Sequence, residues 1–232
     1  IVAYLAFYNK YRPQSFDEVV GQKPIVETLK NALREKKIAH AYLFCGPRGT
    51  GKTTMARLMA KALNCKEGLG KQCNECDSCK AITRGDHPDV IEIDAAASNS
   101  TVDSVRDLIS NVSYQPIMSP YKVYIIDEVH NMSESAFNAL LKTLEEPPSF
   151  CVFILATTDP DKIIPTILSR VQRFDFSKVT NQDLVKNMEN ILKKENIQYD
   201  VKALEAVASL SDGGVRDSLS LLDQLVSYSG DK

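Results

Sequence analysis

The sequence predicts an α/β protein in which a parallel sheet carries a phosphate-binding loop and a small helical domain follows. Short apolar segments of strand length alternate with segments of helical periodicity up to about residue 177. Strands that alternate with helices form a parallel sheet covered on both faces by right-handed crossovers. From about Val179 only helical periodicity continues. The third observation is a glycine-rich motif directly after the first predicted strand.

The glycine-rich motif follows the apolar strand Tyr42–Cys45 and precedes a helix that begins near Lys52. It reads GPRGTGKT and fits the pattern G-x-x-x-x-G-K-[ST]. Backbone N–H groups of such a loop cradle phosphate oxygens, and the helix adds the positive end of its dipole. Lys52 should reach the β- and γ-phosphates, and the Thr53 hydroxyl should ligate Mg²⁺. The predicted nucleotide contacts are Gly46, Pro47, Arg48, Gly49, Thr50, Gly51, Lys52, Thr53 and Thr54.

The other elements of the predicted sheet domain follow the same alternation. An irregular segment precedes the first helix, which should run from Pro24 to about Glu35. A helix capped by Ser100 or Thr101 is expected through Val112, and another from Ser133 to the Pro147-Pro148 pair. The remaining strands are predicted at Val90–Asp94, Lys122–Asp127, Cys151–Ala156 and Arg173–Phe176.

The helical domain is predicted to begin after Ser177, so that residues 1–177 bind nucleotide and residues 178–232 form a lid. Three amphipathic stretches carry this prediction, and an Asp-Gly-Gly turn separates the last two. They are Asn181–Lys194, Val201–Leu210 and Val215–Tyr228.

Two carboxylates end the apolar run VYIIDE, at the sheet edge where ligands of open parallel sheets bind. Asp127 should hold Mg²⁺ directly or through water, and Glu128 should act as base or positioner for the attacking water. At the same edge Thr157 and Thr158 end another strand. One of these hydroxyls should touch the γ-phosphate or orient the water, and the sequence does not separate the two.

Four of the six cysteines are clustered in a polar, glycine-containing segment, which predicts a zinc module at about residues 64–80. The spacing Cys65-x₇-Cys73-x₂-Cys76-x₂-Cys79 offers four thiolates for tetrahedral Zn²⁺, leaving no open coordination position. A structural role is therefore expected. Cys45 and Cys151 lie on apolar strands and are predicted to be core residues. His87 and His130 are predicted to be surface or core residues rather than ligands.

Composition and charge exclude several classes of protein. The chain has 28 Lys and Arg against 30 Asp and Glu, so any nucleic-acid contact must be local. No apolar run is long enough for a membrane span, and the first residues do not form a signal peptide. The clustered cysteines and the nucleotide site predict a cytoplasmic protein.

At this point the chain resembles a known family. The segments YRP, GPRGTGKT, IIDEVH, LLKTLEEPP, LATTDP, the Ser169-Arg170 pair and GGVRDSLSLLDQ occur in this order in AAA+ ATPases of the clamp-loader branch. With the cysteine cluster, the chain is most similar to the gamma/tau subunit family of bacterial DNA polymerase III. The resemblance covers about Tyr4 to Tyr228, nearly the whole chain.

The resemblance implies a motor that uses ATP to open a sliding clamp and place it on primed DNA, together with other clamp-loader subunits. Arg170 would be an arginine finger that faces a neighbouring subunit's ATP. Arg216 would be the sensor that reaches the subunit's own phosphates from the lid. We also assign Tyr11, Arg12, Val19 and Val20 to the nucleotide site.

The chain departs from the family in two features, and its sequence is compatible with two other functions. Val171 stands where the family usually has cysteine, and the family's third helical domain, which oligomerises into a collar, is expected to be absent because the chain ends at Lys232. DNA phosphates are expected at Ser98–Thr101, for which a plain helix cap is an equal alternative. The alternatives for the whole chain are another AAA+ machine, such as a helicase loader or branch-migration motor, and a nucleotide-gated scaffold without turnover.

Overall fold

The computed structural model describes residues 3–97 and 102–230, and its centre is one five-stranded parallel sheet. The strands are β1 (Ala41–Cys45), β2 (Val90–Asp94), β3 (Lys122–Asp127), β4 (Cys151–Thr157) and β5 (Gln172–Asp175). Their order in the sheet is β2-β3-β4-β1-β5. This arrangement confirms the predicted α/β class and its parallel sheet.

Helices cover both faces of the sheet and form all the regular structure after β5 in the described ranges. The first seven are α1 (Phe7–Lys10), α2 (Lys23–Arg34), α3 (Lys52–Asn64), α4 (Asp77–Arg84), α5 (Val102–Ser110), α6 (Glu134–Glu145) and α7 (Pro165–Leu168). The last three are α8 (Asn181–Lys194), α9 (Val201–Leu210) and α10 (Val215–Ser229).

Strand alternation divides the core of the sheet domain into two layers. Tyr42 and Phe44 of β1 are fully buried in the layer that also contains the apolar faces of α2 and α3. Leu43 and Cys45 point to the opposite layer, formed with α5, α6 and α7. Cys151 lies in that second layer too, so the prediction that Cys45 and Cys151 are core residues is confirmed.

Two helices of the structure were not predicted from the sequence, and a third ends earlier than predicted. Neither α1 nor α4 was predicted, because one lies in a short apolar segment and the other in the polar cysteine segment. Helix α4 forms because Cys76 caps it, accepting the backbone N–H of Cys79, and Gly85 ends it in a left-handed conformation. Helix α5 ends at Ser110 instead of Val112.

The three last helices surround their own apolar cluster, which includes Leu184, Leu204 and Leu219. Phe7 of α1 belongs to the same cluster, and its backbone N–H donates to Asp223 Oδ2 of α10 at 2.9 Å. Because Phe7 is buried there, helix α1 packs with the lid. The predicted division at Ser177 assigned them to the sheet domain instead.

The lid is attached to the sheet domain beside the glycine-rich loop. Val215 N donates to Gly49 O at 3.0 Å, directly joining the start of α10 to the loop. At the domain connection, Gln22 Nε2 donates to Ser177 O at 2.6 Å and Ser177 N donates to Gln22 Oε1 at 3.1 Å. These bonds fix where α10 begins relative to the loop.

Candidate functional site

The loop between β1 and α3 has the conformation that its glycines allow. Gly46 has φ +154°, and a Cβ atom there would lie 2.5 Å from the backbone oxygen of Phe176. Its N–H donates to Thr157 O at 3.2 Å, which holds the start of the loop against β4. Gly51 has φ +98° and immediately precedes the first residue of α3. The loop therefore turns back over the N-terminus of α3, as the motif predicts.

Lys52 is almost completely enclosed by this loop. Its Nζ donates to Gly46 O and to Pro47 O, each at 2.7 Å. Burial lowers the pKa of Lys52, whereas the nearby carboxylates of Glu128 and Asp127 act in the opposite direction. The ammonium group is thus held at the loop by carbonyl dipoles and faces two carboxylates.

Thr53 and Asp127 are brought together although they are far apart in sequence. Thr53 lies in the first turn of α3, and its Oγ1 donates to Asp127 Oδ2 at 2.8 Å. The other carboxylate oxygen of Asp127 accepts the backbone N–H of Glu128 at 2.9 Å. A hydroxyl and a carboxylate in contact provide the hard oxygen donors that Mg²⁺ prefers, so these residues fit the predicted ion.

Glu128 has a positive φ of 51°, and its side chain contacts two neighbours. Its Oε2 accepts a hydrogen bond from Thr158 Oγ1 at 3.4 Å and lies 3.3 Å from His130 Nε2. No partner for His130 could be named from the sequence. In the structure, His130 lies beside Glu128, the predicted catalytic carboxylate. The pattern DEVH contained the residue, but no periodicity or spacing marked its role.

The structure separates Thr157 from Thr158. Thr157 is fully buried, and its Oγ1 accepts the N–H of Asp159 at 3.0 Å and lies 2.8 Å from His130 Nδ1. Thr158 lines the cavity next to Glu128. That one of these hydroxyls touches the γ-phosphate or orients the water stays a prediction. Thr158 is the threonine at the cavity, because the hydroxyl of Thr157 is turned toward the imidazole.

A cavity of about 640 Å³ lies over the loop and between the sheet edge and the lid. Among the residues predicted to bind nucleotide or metal, its walls include Tyr11, Arg12, Val19, Val20, Arg48, Gly49, Thr50, Gly51, Lys52, Thr53, Thr54, Asp127, Glu128 and Arg216. Gly46, Pro47, Thr157 and Arg170 are outside the walls. Wall residues that the sequence analysis missed include Tyr8, Asn187 and Leu219, contributed by α1 and the lid.

Tyr8 contacts two arginines at the lid side of the cavity. The guanidinium carbons of Arg12 and Arg216 lie 4.8 Å and 5.0 Å from the centre of its ring. Both distances are within the range of cation–π attraction. Arg216, which the resemblance assigned as a sensor, thus reaches the cavity from the lid and is held there by an aromatic ring.

Arg170 lies away from this cavity and is partly exposed, with 34% of its side chain accessible. One guanidinium nitrogen donates to Thr166 O at 3.0 Å, and the other donates to Glu145 Oε1 at 3.1 Å. The side chain is therefore held at the outer surface near α6 and α7.

The Sγ atoms of Cys65, Cys73, Cys76 and Cys79 all lie within 4.8 Å of one another. Tetrahedral Zn²⁺ with four thiolates requires sulfur–sulfur distances of roughly 3.8 Å, so the cluster fits this ion. Backbone N–H groups point at the sulfurs, for example from Cys76 to Cys73 Sγ at 3.3 Å. Burial acts to raise the pKa of Cys76, but N–H donors from Cys79 and Lys66 and neighbouring thiols lower it to about 6.

A buried lysine connects the cysteine segment to the N-terminal segment. Lys61 Nζ donates to Gln14 Oε1 at 2.6 Å and to Asn74 Oδ1 at 2.8 Å. Asn74 Nδ2 in turn donates to Gln14 O at 3.0 Å. Because Gln14 follows the Tyr11-Arg12-Pro13 segment of the cavity wall, the cysteine segment supports one side of the site.

Two other predictions concern surfaces rather than the cavity. The DNA contact predicted at Ser98–Thr101 lies outside the described residues. Within the ranges that the structure describes, no helix is both long and apolar enough to cross a membrane.

Comparison with protein families matches almost the whole chain. Residues 21–180 match the family described as DNA polymerase III, delta subunit. Residues 183–231 match the ATPase lid domain of the DNA polymerase III clamp loader subunit.

Curated relatives share high identity with the chain. The DNA polymerase III subunit tau of Bacillus subtilis is 57% identical over 231 residues, which cover 99% of this chain and 41% of that protein. The tau subunit of Escherichia coli is 48% identical over 99% of this chain and 36% of its own length. The chain thus spans about two fifths of the length of these relatives.

Solved structures with the same fold include the RuvB Holliday junction branch migration motor of Thermotoga maritima. It has a TM-score of 0.67 at 20% identity and is covered over 68% of its length by 96% of this chain. A variant of the same protein gives a TM-score of 0.68. At this identity the similarity concerns the fold alone, which is that of an AAA+ domain with its lid.

Proposed function

The chain belongs to the DNA polymerase III clamp-loader subunit family, with tau and gamma subunits among its relatives, and we propose that it binds and hydrolyses ATP. In this proposal it is a motor subunit that loads a sliding clamp onto primed DNA during replication. One observation carries the ATPase part. The glycine-rich loop, the Thr53–Asp127 pair and Glu128 meet in one cavity that an arginine of the lid also enters.

The residues of the cavity divide the work of phosphoryl transfer among them. Loop N–H groups and Lys52 bind the phosphates, and Thr53 with Asp127 would hold Mg²⁺, which would neutralise charge on the phosphate oxygens. Glu128 orients the attacking water and accepts its proton. Lys52 gives up its bonds to the loop carbonyls when it binds phosphate oxygens, exchanging neutral acceptors for charged ones.

ATP turnover by the complete chain, with partner subunits, clamp and primed DNA present, tests the proposal. We expect DNA- and clamp-stimulated hydrolysis that Glu128→Gln abolishes while ATP stays bound, because the amide cannot accept a proton. Turnover by Glu128→Gln at the wild-type rate would exclude Glu128 as base or water positioner. ATP binding without any turnover in the complete assembly would instead favour a nucleotide-gated scaffold.

We propose that Arg170 acts on the ATP of a neighbouring subunit, whereas Arg216 acts on the chain's own phosphates. The position of Arg170 at the outer surface supports this assignment, as does the access of Arg216 to the cavity. An arginine supplied in trans is worth roughly 10³-fold or more in rate. Mixing Arg170→Ala chains with Glu128→Gln chains should restore activity at interfaces that pair an intact site with an intact finger. No recovery despite co-assembly would contradict action in trans.

For the cysteine cluster we propose one structural Zn²⁺ per chain, held by the four thiolates. The short distances between the sulfurs and the N–H donors around them support this assignment. The ion would supply folding free energy to residues 64–80 rather than chemistry.

Partners, location and domain organisation complete the proposal. We propose contacts with other clamp-loader subunits, with the sliding clamp and with DNA phosphates, and a cytoplasmic location. The functional division is a nucleotide-binding unit up to about Ser177 and a lid after it, with α1 belonging to the lid by its packing. The fold shared with RuvB does not distinguish a clamp loader from a branch-migration motor. The two family matches favour clamp loading.

A further inference from the structure

His130 connects two groups at the catalytic edge of the sheet. Its Nδ1 lies 2.8 Å from Thr157 Oγ1, and its Nε2 lies 3.3 Å from Glu128 Oε2. Only 9% of the imidazole side chain is exposed, so water competes little for either nitrogen. The imidazole therefore forms a bridge between the buried end of β4 and the carboxylate that faces the cavity.

The proton positions on the imidazole follow from what each neighbour can accept. An ionised carboxylate only accepts, so in the neutral imidazole the proton belongs on Nε2, which lies 3.3 Å from Glu128 Oε2. Nδ1 is then an acceptor and takes the hydroxyl proton of Thr157. The same hydroxyl oxygen accepts the N–H of Asp159 at 3.0 Å. The backbone after β4 thus fixes Thr157, and Thr157 fixes the ring whose Nε2 approaches Glu128.

Glu128 requires such support because of its backbone. Its φ of 51° and ψ of 43° lie in the left-handed region, which costs a non-glycine residue about 1 kcal/mol or more. Oε2 accepts the Thr158 hydroxyl at 3.4 Å and lies 3.3 Å from His130 Nε2. No protein donor within the described ranges contacts Oε1, so one carboxylate oxygen is fixed and the other is available to a water molecule.

Resting on the ATPase function proposed above, we propose that His130 is a positioning residue for hydrolysis that orients the Glu128 carboxylate toward the attacking water. It acts through Glu128 and does not touch the nucleotide, since it is not part of the cavity wall. Its removal should therefore lower kcat and leave nucleotide affinity unchanged.

Two substitutions separate the two nitrogens of the imidazole. The amide of asparagine reaches about as far as Nδ1, and the amide of glutamine reaches about as far as Nε2. In the complete assembly, His130→Asn should lower kcat about tenfold or more with the same ATP Kd. His130→Gln keeps a donor for Glu128 and should recover most of that loss. The matched control is His40→Asn, which changes an exposed histidine before β1 and should change neither constant.

A second variant keeps the test decisive if His130→Asn folds poorly. Thr157→Val preserves side-chain shape and removes the hydroxyl that fixes Nδ1, so kcat should fall by a smaller factor at constant Kd. Wild-type kcat in His130→Asn, equal losses in the Asn and Gln variants, or a parallel loss of ATP affinity would overturn the His130 proposal. Failure of the wild-type assembly to hydrolyse ATP would overturn the ATPase proposal itself, and with it this one.

Discussion

Replacing Cys76 by serine removes one thiolate of the proposed zinc site and preserves the cap of helix α4. The side chain of Cys76 accepts the N–H of Cys79, and a serine oxygen accepts the same bond. Any loss of stability therefore reports on the metal ion rather than on the helix cap. Helix α4 has eight residues, which is too short for an isolated helix to be stable in water. Without its neighbours it should unfold locally.

Three contacts determine how much the free energy of unfolding should fall in Cys76→Ser. Gln72 accepts the N–H of Phe16 at 3.0 Å and donates to Leu58 O at 2.7 Å. Ile82 of α4 is 4% exposed and packs in the core with α3. At about 1 kcal/mol for each hydrogen bond and about 1.5–3 kcal/mol for the isoleucine, their loss amounts to about 3.5–5 kcal/mol. At about 2–4 °C per kcal/mol, Tm should fall by about 7–20 °C.

Nucleotide affinity should fall much less than stability. The cysteine segment is bonded to chain neighbours of the cavity wall: Asn74 to Gln14, and Gln72 to Phe16. Losing one such hydrogen bond corresponds to about 1 kcal/mol, or about a fivefold weaker Kd. The assay combines metal analysis, thermal unfolding, hydrogen exchange and nucleotide titration on wild-type and Cys76→Ser protein. Protection should be lost around α4 and retained in β1 and α3.

Cys151→Ser is the matched control, because it changes a cysteine far from the cluster in sequence and buried in the sheet. It should retain one zinc per chain whatever its effect on stability. The reasoning is refuted if Cys76→Ser retains a full equivalent of zinc with an unchanged Tm. It is also refuted if nucleotide binding disappears while α4 stays protected from exchange.

Three further substitutions test individual contacts. Lys52→Ala should abolish ATP binding, because it removes the cation at the β- and γ-phosphates; a wild-type Kd in a fluorescence titration would contradict this. Gly46→Ala brings a Cβ to 2.5 Å from Phe176 O and should lower the free energy of unfolding by about 1–3 kcal/mol, measured by chemical denaturation. Gly85→Ala, whose Cβ meets no atom within 4 Å, should lower it less. Lys61→Met should cost about 1–3 kcal/mol, since the half-buried amide oxygens of Gln14 and Asn74 each lose their bond to the ammonium group; an unchanged denaturation midpoint would argue against that role.

The sheet and its ligand edge could be predicted because their signals are local in sequence. Strands β1, β3 and β4 are short apolar runs, and the glycines of the loop directly precede Lys52 and Thr53. Their meeting with Asp127 follows from parallel topology, since the loop and the carboxylate both come after carboxyl ends of strands. The 2.8 Å bond between Thr53 and Asp127 is the physical result of that rule.

Contacts that depend on tertiary packing could not be read from the chain. Helix α1 is too short for a periodic signal, and its position is decided by the burial of Phe7 among lid side chains. Thr157 and Thr158 look equivalent in sequence, but strand alternation buries one and exposes the other to the cavity. His130 acquires its partners only because a short turn after β3 brings it beside β4.

The cavity walls come from two bodies that a bound nucleotide would connect. Helix α1 packs on α10, and its Tyr8 ring contacts Arg216, so this part of the wall belongs to the lid. Arg12 contacts the same ring, but it lies two residues before Gln14. Gln14 is hydrogen-bonded to Lys61 of α3 and to Asn74 of the cysteine segment. A ligand that contacts both sides stabilises their closed arrangement by RT ln(1 + [L]/Kd). ATP should therefore raise the exchange protection of α1 and α10 together, and protection of only one of them would show that they do not move as a unit.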